Sequence, residues 1–473
     1  MNVMWDLAKF SHNTAVIDET GVSHTYSELS TYIKQIEEII CERNLVLCLC
    51  QNNFESLLGY IACVQTRNVP LLIESETDSQ LLQNLVKVYS PSFIWMPAKY
   101  VEIFSSIEIV HELNDYVLVK TKRVNKKEIY KELALLLTTS GSTGSKKLVR
   151  VSYKNIAANI DSILNYLEIT ENDRSITTLP MSYTYGLSII NTFLAAGASL
   201  ILTEKSLMQK EFWQQFKNYE ATSLSGVPYT YEMLRKLKFF RMSLPSLKVM
   251  TQAGGRLSSD LQKLFAEYAK ENDIRFYVMY GQTEATARMS YLPFEKSIEK
   301  SGSIGIAIPN GRFYLVDNYG NNVQDTGVVG ELAYEGENVT LGYANNADDL
   351  KKGDERNGRL LTGDMAKIDS DGYYWIVGRK KRFLKVFGRR VNLDEIEELL
   401  KIEFSGSELA CGGIDDKVYI FVVNDFNPVT IKNYISEKTG LNPFAFEVER
   451  VDKIPKNESG KTEYGKLPYG SIF

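Results

Sequence analysis

The chain has 473 residues, of which 44% are apolar and 24% charged, with 31 Gly against 12 Pro. That composition excludes a disordered, collagenous or coiled-coil protein, and the length suits about three domain-sized shares with a core that needs neither disulfides nor a structural metal. Fifty-four basic against 59 acidic residues leave a formal net charge of −5, which argues against nucleic acid as a partner.

No basic-then-apolar leader opens the chain, because Asp6, Asp18 and Glu19 interrupt its first twenty residues. Cys41, Cys48, Cys50, Cys63 and Cys411 are odd in number and lack C-x-x-C spacing, so a reduced, cytoplasmic setting is expected. The three histidines, His12, His24 and His111, read as structural, too few for a His-rich zinc site.

Short apolar runs alternate with amphipathic segments, the pattern of βαβ units in a largely parallel sheet. Strands are expected at 45–49, 133–137, 199–202, 222–224, 247–250 and 275–279, and helices at 155–167, 211–219, 229–237 and 259–269, the last behind a Ser258-Ser259-Asp260 cap. The most apolar stretch, 187–202, carries Ser188, Asn191, Thr192 and Ser199 and falls short of a membrane span. It predicts a buried helix feeding a strand. Beyond Tyr291 shorter strands at 311–316, 327–334 and 372–377 predict a small antiparallel sheet or barrel. After Gly378 a helix at 393–401, a strand at 418–423 and a helix at 429–438 predict a separate α+β unit. The fold class is therefore α/β: a large N-terminal domain of mixed sheets with a small β-barrel-like subdomain over residues 1–377, then a small mobile α+β domain over 378–473.

Four segments carry chemistry. An apolar strand runs into Thr139-Ser140-Gly141-Ser142-Thr143-Gly144-Ser145-Lys146-Lys147, whose glycines, hydroxyls and ammonium groups suit phosphate oxygens; it lacks Walker spacing, and the same composition also suits a plain surface loop. Tyr280-Gly281-Gln282-Thr283-Glu284 follows a strand, where open α/β sheets place ligands. Tyr280 offers a ring to a base and Glu284 a hard oxygen to Mg²⁺; an ordinary turn is the alternative. Thr362-Gly363-Asp364 and Gly378-Arg379 could grip a ribose diol, although the basic run after Gly378 also suits a solvated face. Pro455 to Lys461 is a polar loop ending in Gly460-Lys461, which alone reads as a loose terminus.

In order and spacing together, these segments resemble the adenylate-forming superfamily of acyl-CoA synthetases, luciferase and peptide-synthetase adenylation domains. The family's T-S-G-[ST]-T-G-x-P-K-G matches 139–148 except for Lys146 and Leu148. Its Y-G-x-T-E matches Tyr280 to Glu284, its T-G-D matches Thr362 to Asp364, its G-R-x-[DK] run matches from Gly378 to Val391, and its P-x-x-x-S-G-K matches Pro455 to Lys461. Gly254-Gly255, Gly330-Glu331-Leu332 and Gly342-Tyr343 are weaker echoes.

The resemblance implies an ATP-dependent acid ligase: a carboxylate displaces pyrophosphate to give an acyl-adenylate, and a thiol of coenzyme A or of a phosphopantetheinyl carrier protein takes the acyl group. Transfer to an amine and activation of an amino acid stay open, and a kinase or a non-catalytic nucleotide binder are readings of other classes. The implied roles are phosphate binding by Thr139, Ser140, Gly141, Ser142, Thr143, Gly144 and Lys147, with Thr143 also catalytic. Glu284 would hold Mg²⁺, and Thr283 would touch the α-phosphate. Gly254, Gly255, Tyr280, Gly281 and Gln282 would frame adenine, Asp364 and Arg379 would fix the ribose, Lys461 would catalyse adenylation, and Lys381 would be a hinge. The acid pocket is expected to involve Tyr183, Thr184, Tyr185, Val227, Tyr229 and Met279. Thr184 stands where amino-acid-activating relatives carry an Asp, so a neutral-tailed acyl or aryl acid, or a hydroxy acid, is expected.

Overall fold

The computed structural model describes residues 4–122, 128–138, 147–323, 325–387, 389–424, 426–457 and 460–468. Two compact units divide the chain, Met1–Arg312 with Tyr334–Leu360, and Phe313–Ala333 with Leu361–Phe473.

The first unit holds two large sheets. In the nine-stranded one, Thr14–Ile17, Ser199–Ile201, Arg174–Ile176, Ser223–Gly226, Val249–Gln252 and Arg275–Tyr280 lie side by side and parallel. Antiparallel strands extend the sheet beyond Thr14–Ile17 and Arg275–Tyr280. Helices connect the parallel strands, so both faces are covered and the strands are almost wholly buried. The eight-stranded sheet is built around Leu45–Cys50, Val69–Glu74 and Leu133–Thr138, parallel to one another, with Leu133–Thr138 turning back antiparallel into Leu148–Ser152.

The expected elements are present with boundaries moved by three residues or fewer. The strand expected from Leu247 spans Val249–Gln252, because Leu244 to Leu247 is first used in a turn around Pro245, closed by Leu247 N–H donating to Leu244 O. The apolar 187–202 stretch forms the buried helix Thr184–Ala196, stopped by Gly197 at φ 71°, and then the strand Ser199–Ile201. No helix among the described residues is long and apolar enough to cross a membrane.

The second unit is built around a five-stranded sheet, in the order Asn322–Val323, Arg312–Val316, Gly330–Glu335, Arg359–Ile368, Tyr374–Arg379. This order has two edges, so of sheet or barrel it is the open sheet. The C-terminal part adds the hairpin Phe383–Val386 with Arg389–Asn392, and a three-stranded sheet of Leu409–Ile414, Lys417–Val422 and Phe446–Arg450. Helices Leu393–Glu403 and Pro428–Thr439 pack with these in one core through Ile396, Leu400, Ile420, Ile431 and Ile435.

Candidate active site

In the first unit, Val227 and Gly254-Gly255 follow, and Tyr280 ends, three neighbouring parallel strands, Ser223–Gly226, Val249–Gln252 and Arg275–Tyr280. That edge is where an open parallel sheet leaves a crevice for ligand. The turns there are tight. Gly254 sits at φ 82°, and a Cβ on it would stand 2.5 Å from the Tyr183 hydroxyl and 3.0 Å from Val227, so the adenine-frame and acid-pocket candidates meet at this point. Gly281 has even less room, since a Cβ there would lie 1.5 Å from the Ala287 carbonyl oxygen. Gly281→Ala is therefore expected to cost about 1–3 kcal/mol of stability and to displace Thr283 and Glu284. Thermal denaturation of the variant checks the first effect, and its KM for ATP the second.

The loop is strained as well as crowded. Thr286 (φ 54°) and Ala287 (φ 85°) both occupy the left-handed region, at roughly 1–3 kcal/mol each. Asn338 compensates by donating to the carbonyls of Ala285 (2.8 Å) and Arg288 (3.0 Å), while Thr286 donates back to the Asn338 carbonyl (2.7 Å). The result is a rigid mount for Thr283 and Glu284.

Tyr343 donates to Glu284 Oε1 at 2.6 Å, and the ammonium of Lys147, the last residue of the Gly/Ser/Thr segment, lies 3.3 Å from the Tyr343 ring centroid. Arg356 flanks the same ring at 4.6 Å and donates to the Glu284 carbonyl at 3.1 Å. Burial, with the Glu284 carboxylate beside it, pushes the Tyr343 hydroxyl up to about 12, so it stays a donor at neutral pH. Lys147 and Glu284, 137 positions apart in sequence, thus flank one aromatic ring. Residues Thr139, Ser140, Gly141, Ser142, Thr143 and Gly144 lie outside the described residues.

Thr184 donates to Thr283 Oγ1 at 2.9 Å, and both are buried. Gln282 donates to the Tyr280 hydroxyl at 3.2 Å. Met279 and Val227 are buried, Tyr183 is half-buried, and Tyr229 is 54% exposed at the start of helix Pro228–Lys236.

In the second unit, Asp364 and Arg379 face each other across the paired strands Arg359–Ile368 and Tyr374–Arg379, and Arg379 Nε is 2.7 Å from Asp364 Oδ1. Asp364 is buried, whereas Arg379 keeps most of its side chain in solvent. Lys461 is within electrostatic reach of both. Burial first, and then the Arg379 guanidinium, hold its ammonium below the ordinary lysine range, against a smaller opposite pull from Asp364. Its turn is closed by Lys461 N–H donating to Asn457 Oδ1 (2.9 Å). Three residues on, Tyr464 packs its ring on Arg382, at 3.8 Å, and donates to Glu397. Arg382 in turn pairs with Asp394 and Glu397. Lys381 is in the short turn Lys380–Arg382.

Sequence reading missed Tyr343 and Arg356 as participants. The Gly342-Tyr343 pair was the available signal for the first, while Arg356 has none, because only folding brings it to Glu284.

Residues 4–344 match the model of the AMP-binding enzyme family, and the chain belongs to that family. Among curated relatives are two oxalate–CoA ligases. That of Arabidopsis thaliana is 30% identical over 349 residues, 70% of this chain and 66% of that protein. That of Saccharomyces cerevisiae is 27% identical over 344 residues, 70% and 62% respectively. The matched region is thus just under two thirds of these relatives' length. Among solved structures, the O-succinylbenzoate coenzyme A synthetase of Bacillus subtilis in complex with AMP superposes with a TM-score of 0.79 at 21% identity, over 98% of this chain and 97% of that one. It shares the fold.

Proposed function

We propose that this protein is an ATP-dependent carboxylic acid ligase that forms an acyl-adenylate with release of pyrophosphate and then transfers the acyl group to a thiol. The observation that carries the reading is the grouping of Lys461 with Asp364 and Arg379, a pair that faces across two adjacent strands and lies more than eighty positions earlier in sequence. A carboxylate is a poor acyl donor, and bringing one to a polyphosphate sets anion against anion. The work is therefore positioning and charge neutralisation.

Lys147 and the segment 139–144 would hold the β- and γ-phosphates, Thr283 would touch the α-phosphate, and Tyr280, Gly281 and Gln282, with the backbone at Gly254-Gly255, would frame adenine. The donor set fits Mg²⁺, because Glu284 offers a hard carboxylate oxygen fixed by Tyr343, and this ion is commonly held by one or two carboxylates together with substrate phosphates. Bound there, the ion would neutralise phosphate charge. Asp364 would accept from the ribose hydroxyls with Arg379 beside it, and Lys461 would neutralise charge between the incoming carboxylate and the α-phosphate. The segment 378–473 would act as a lid hinged at Lys381, drawing Lys461 away after the first half-reaction.

The acceptor is proposed as coenzyme A or a phosphopantetheinyl carrier; the names of the relatives favour the former. The five cysteines are free, four of them buried, which supports a reduced, cytoplasmic setting. Product analysis over a panel of acids tests the reading: acid-dependent AMP and pyrophosphate support ligation, and ADP supports a kinase.

The lysine's environment supplies a sharper check. If the charged ammonium serves adenylation, the rate falls as pH rises through its lowered pKa. Arg379→Gln removes a repelling cation, so the alkaline limb of the pH–rate profile moves to higher pH; Asp364→Asn moves it lower. Either variant weakens ribose binding, but the position of the limb in kcat is a separate readout.

A further inference from the structure

Arg150 and Arg288 are buried and Arg382 is largely enclosed, and Arg288 differs from the other two in how its charge is matched. Arg150 is fully enclosed and pairs with Glu355, its other donors meeting carbonyl oxygens of Leu341, Tyr343, Lys352 and Gly353. Arg382 pairs with Asp394 and Glu397. Arg288, only 2% exposed, meets neutral groups alone among the described residues. Its Nε donates to Ser188 Oγ (3.2 Å) and its Nη1 to the Tyr166 hydroxyl (3.2 Å) and Met279 sulfur (3.5 Å), while its carbon Cζ lies 5.3 Å from the Tyr185 ring centroid. Its hydrogen bonds among the described residues are made by Nε and Nη1. A buried guanidinium without a counter-ion is costly.

Its position gives that cost a use. Met279 and Tyr185 were both expected in the acid pocket. The Tyr185 ring is 6.4 Å from that of Tyr183, whose hydroxyl crowds Gly254. On the other side, Thr283 is bonded to Thr184, and Ser188, which holds Arg288, lies one turn further along the same face of helix Thr184–Ala196. Asn159 and Asn338 both donate to the Arg288 carbonyl at 3.0 Å, so its backbone is fixed in advance.

We infer that Arg288 is the counter-charge for a second anionic group on the acid substrate, which makes that substrate a dicarboxylic acid. This deepens the ligase reading and rests on it, and it departs from the expectation of a neutral-tailed acid. The reacting carboxylate would sit by Thr283 and the distal one would pair with Arg288, so binding would supply the missing charge.

The test is acid-dependent exchange of pyrophosphate into ATP, with succinate, glutarate, adipate and terephthalate each measured against its monocarboxylate counterpart, butyrate, valerate, hexanoate and benzoate. The expected result is a diacid preferred over its counterpart by about 10²-fold or more in kcat/KM. In Arg288→Met that preference is lost while monoacid exchange stays within a few-fold; in Arg288→Lys it is kept at a reduced rate. Monoacids exchanging as well as diacids in the wild-type protein would overturn the inference alone, whether or not the variants fold. So would equal loss of both classes in a folded Arg288→Met. Absence of exchange with every acid, in a protein that binds ATP, would overturn the ligase reading and this inference with it.

Discussion

Lys461→Ala is expected to lower acid-dependent pyrophosphate exchange by about 10²–10³-fold or more, the usual consequence of removing a group aimed at charge that develops in transfer. Two quantities should barely move. On the proposed assignment, ATP would be held mainly by residues of the first unit, and acyl transfer from a pre-made adenylate would begin after the lysine's step. The fold should tolerate the change, since the turn at Lys461 is held by backbone bonds to Asn457. Equal loss of both half-reactions, measured separately with the folded variant, would remove the role assigned to Lys461.

Glu284→Gln is expected to reduce adenylation by about 10²-fold and to raise the Mg²⁺ concentration needed for half-maximal rate. The structural part of this residue is its backbone: Thr340 and Arg356 bind the carbonyl oxygen, not the carboxylate. The amide oxygen can still accept from Tyr343, so the loop should remain in place while one negative charge is lost. A Mg²⁺ titration of the variant separates this from a folding defect, since a misplaced loop lowers the rate without changing the metal requirement.

The α/β architecture was legible because buried parallel strands must be nearly all apolar, and runs such as Leu133 to Leu137 can be little else. The order of strands was not. Thr14–Ile17 pairs with Ser199–Ile201, some 185 residues on, a choice made by shape and burial across the whole sheet. Glycine-bearing turns were legible for a related reason: Gly254 and Gly281 have no room for a side chain, and the absence of one leaves a mark in sequence. The Arg288 surroundings left none. Its partners Ser188, Tyr166, Met279 and Tyr185 come from three separate segments, and a lone arginine beside the Y-G-x-T-E segment reads as a surface charge until burial is known.

The most direct test of the central claim is to supply the acid with both carboxylate oxygens replaced by ¹⁸O and to weigh the nucleotide product. Attack on the α-phosphorus followed by acyl transfer cleaves the bond between carbonyl carbon and bridging oxygen, so AMP should retain one ¹⁸O from the acid and the thioester the other. Unlabelled AMP, or ADP accompanied by labelled inorganic phosphate, would contradict it.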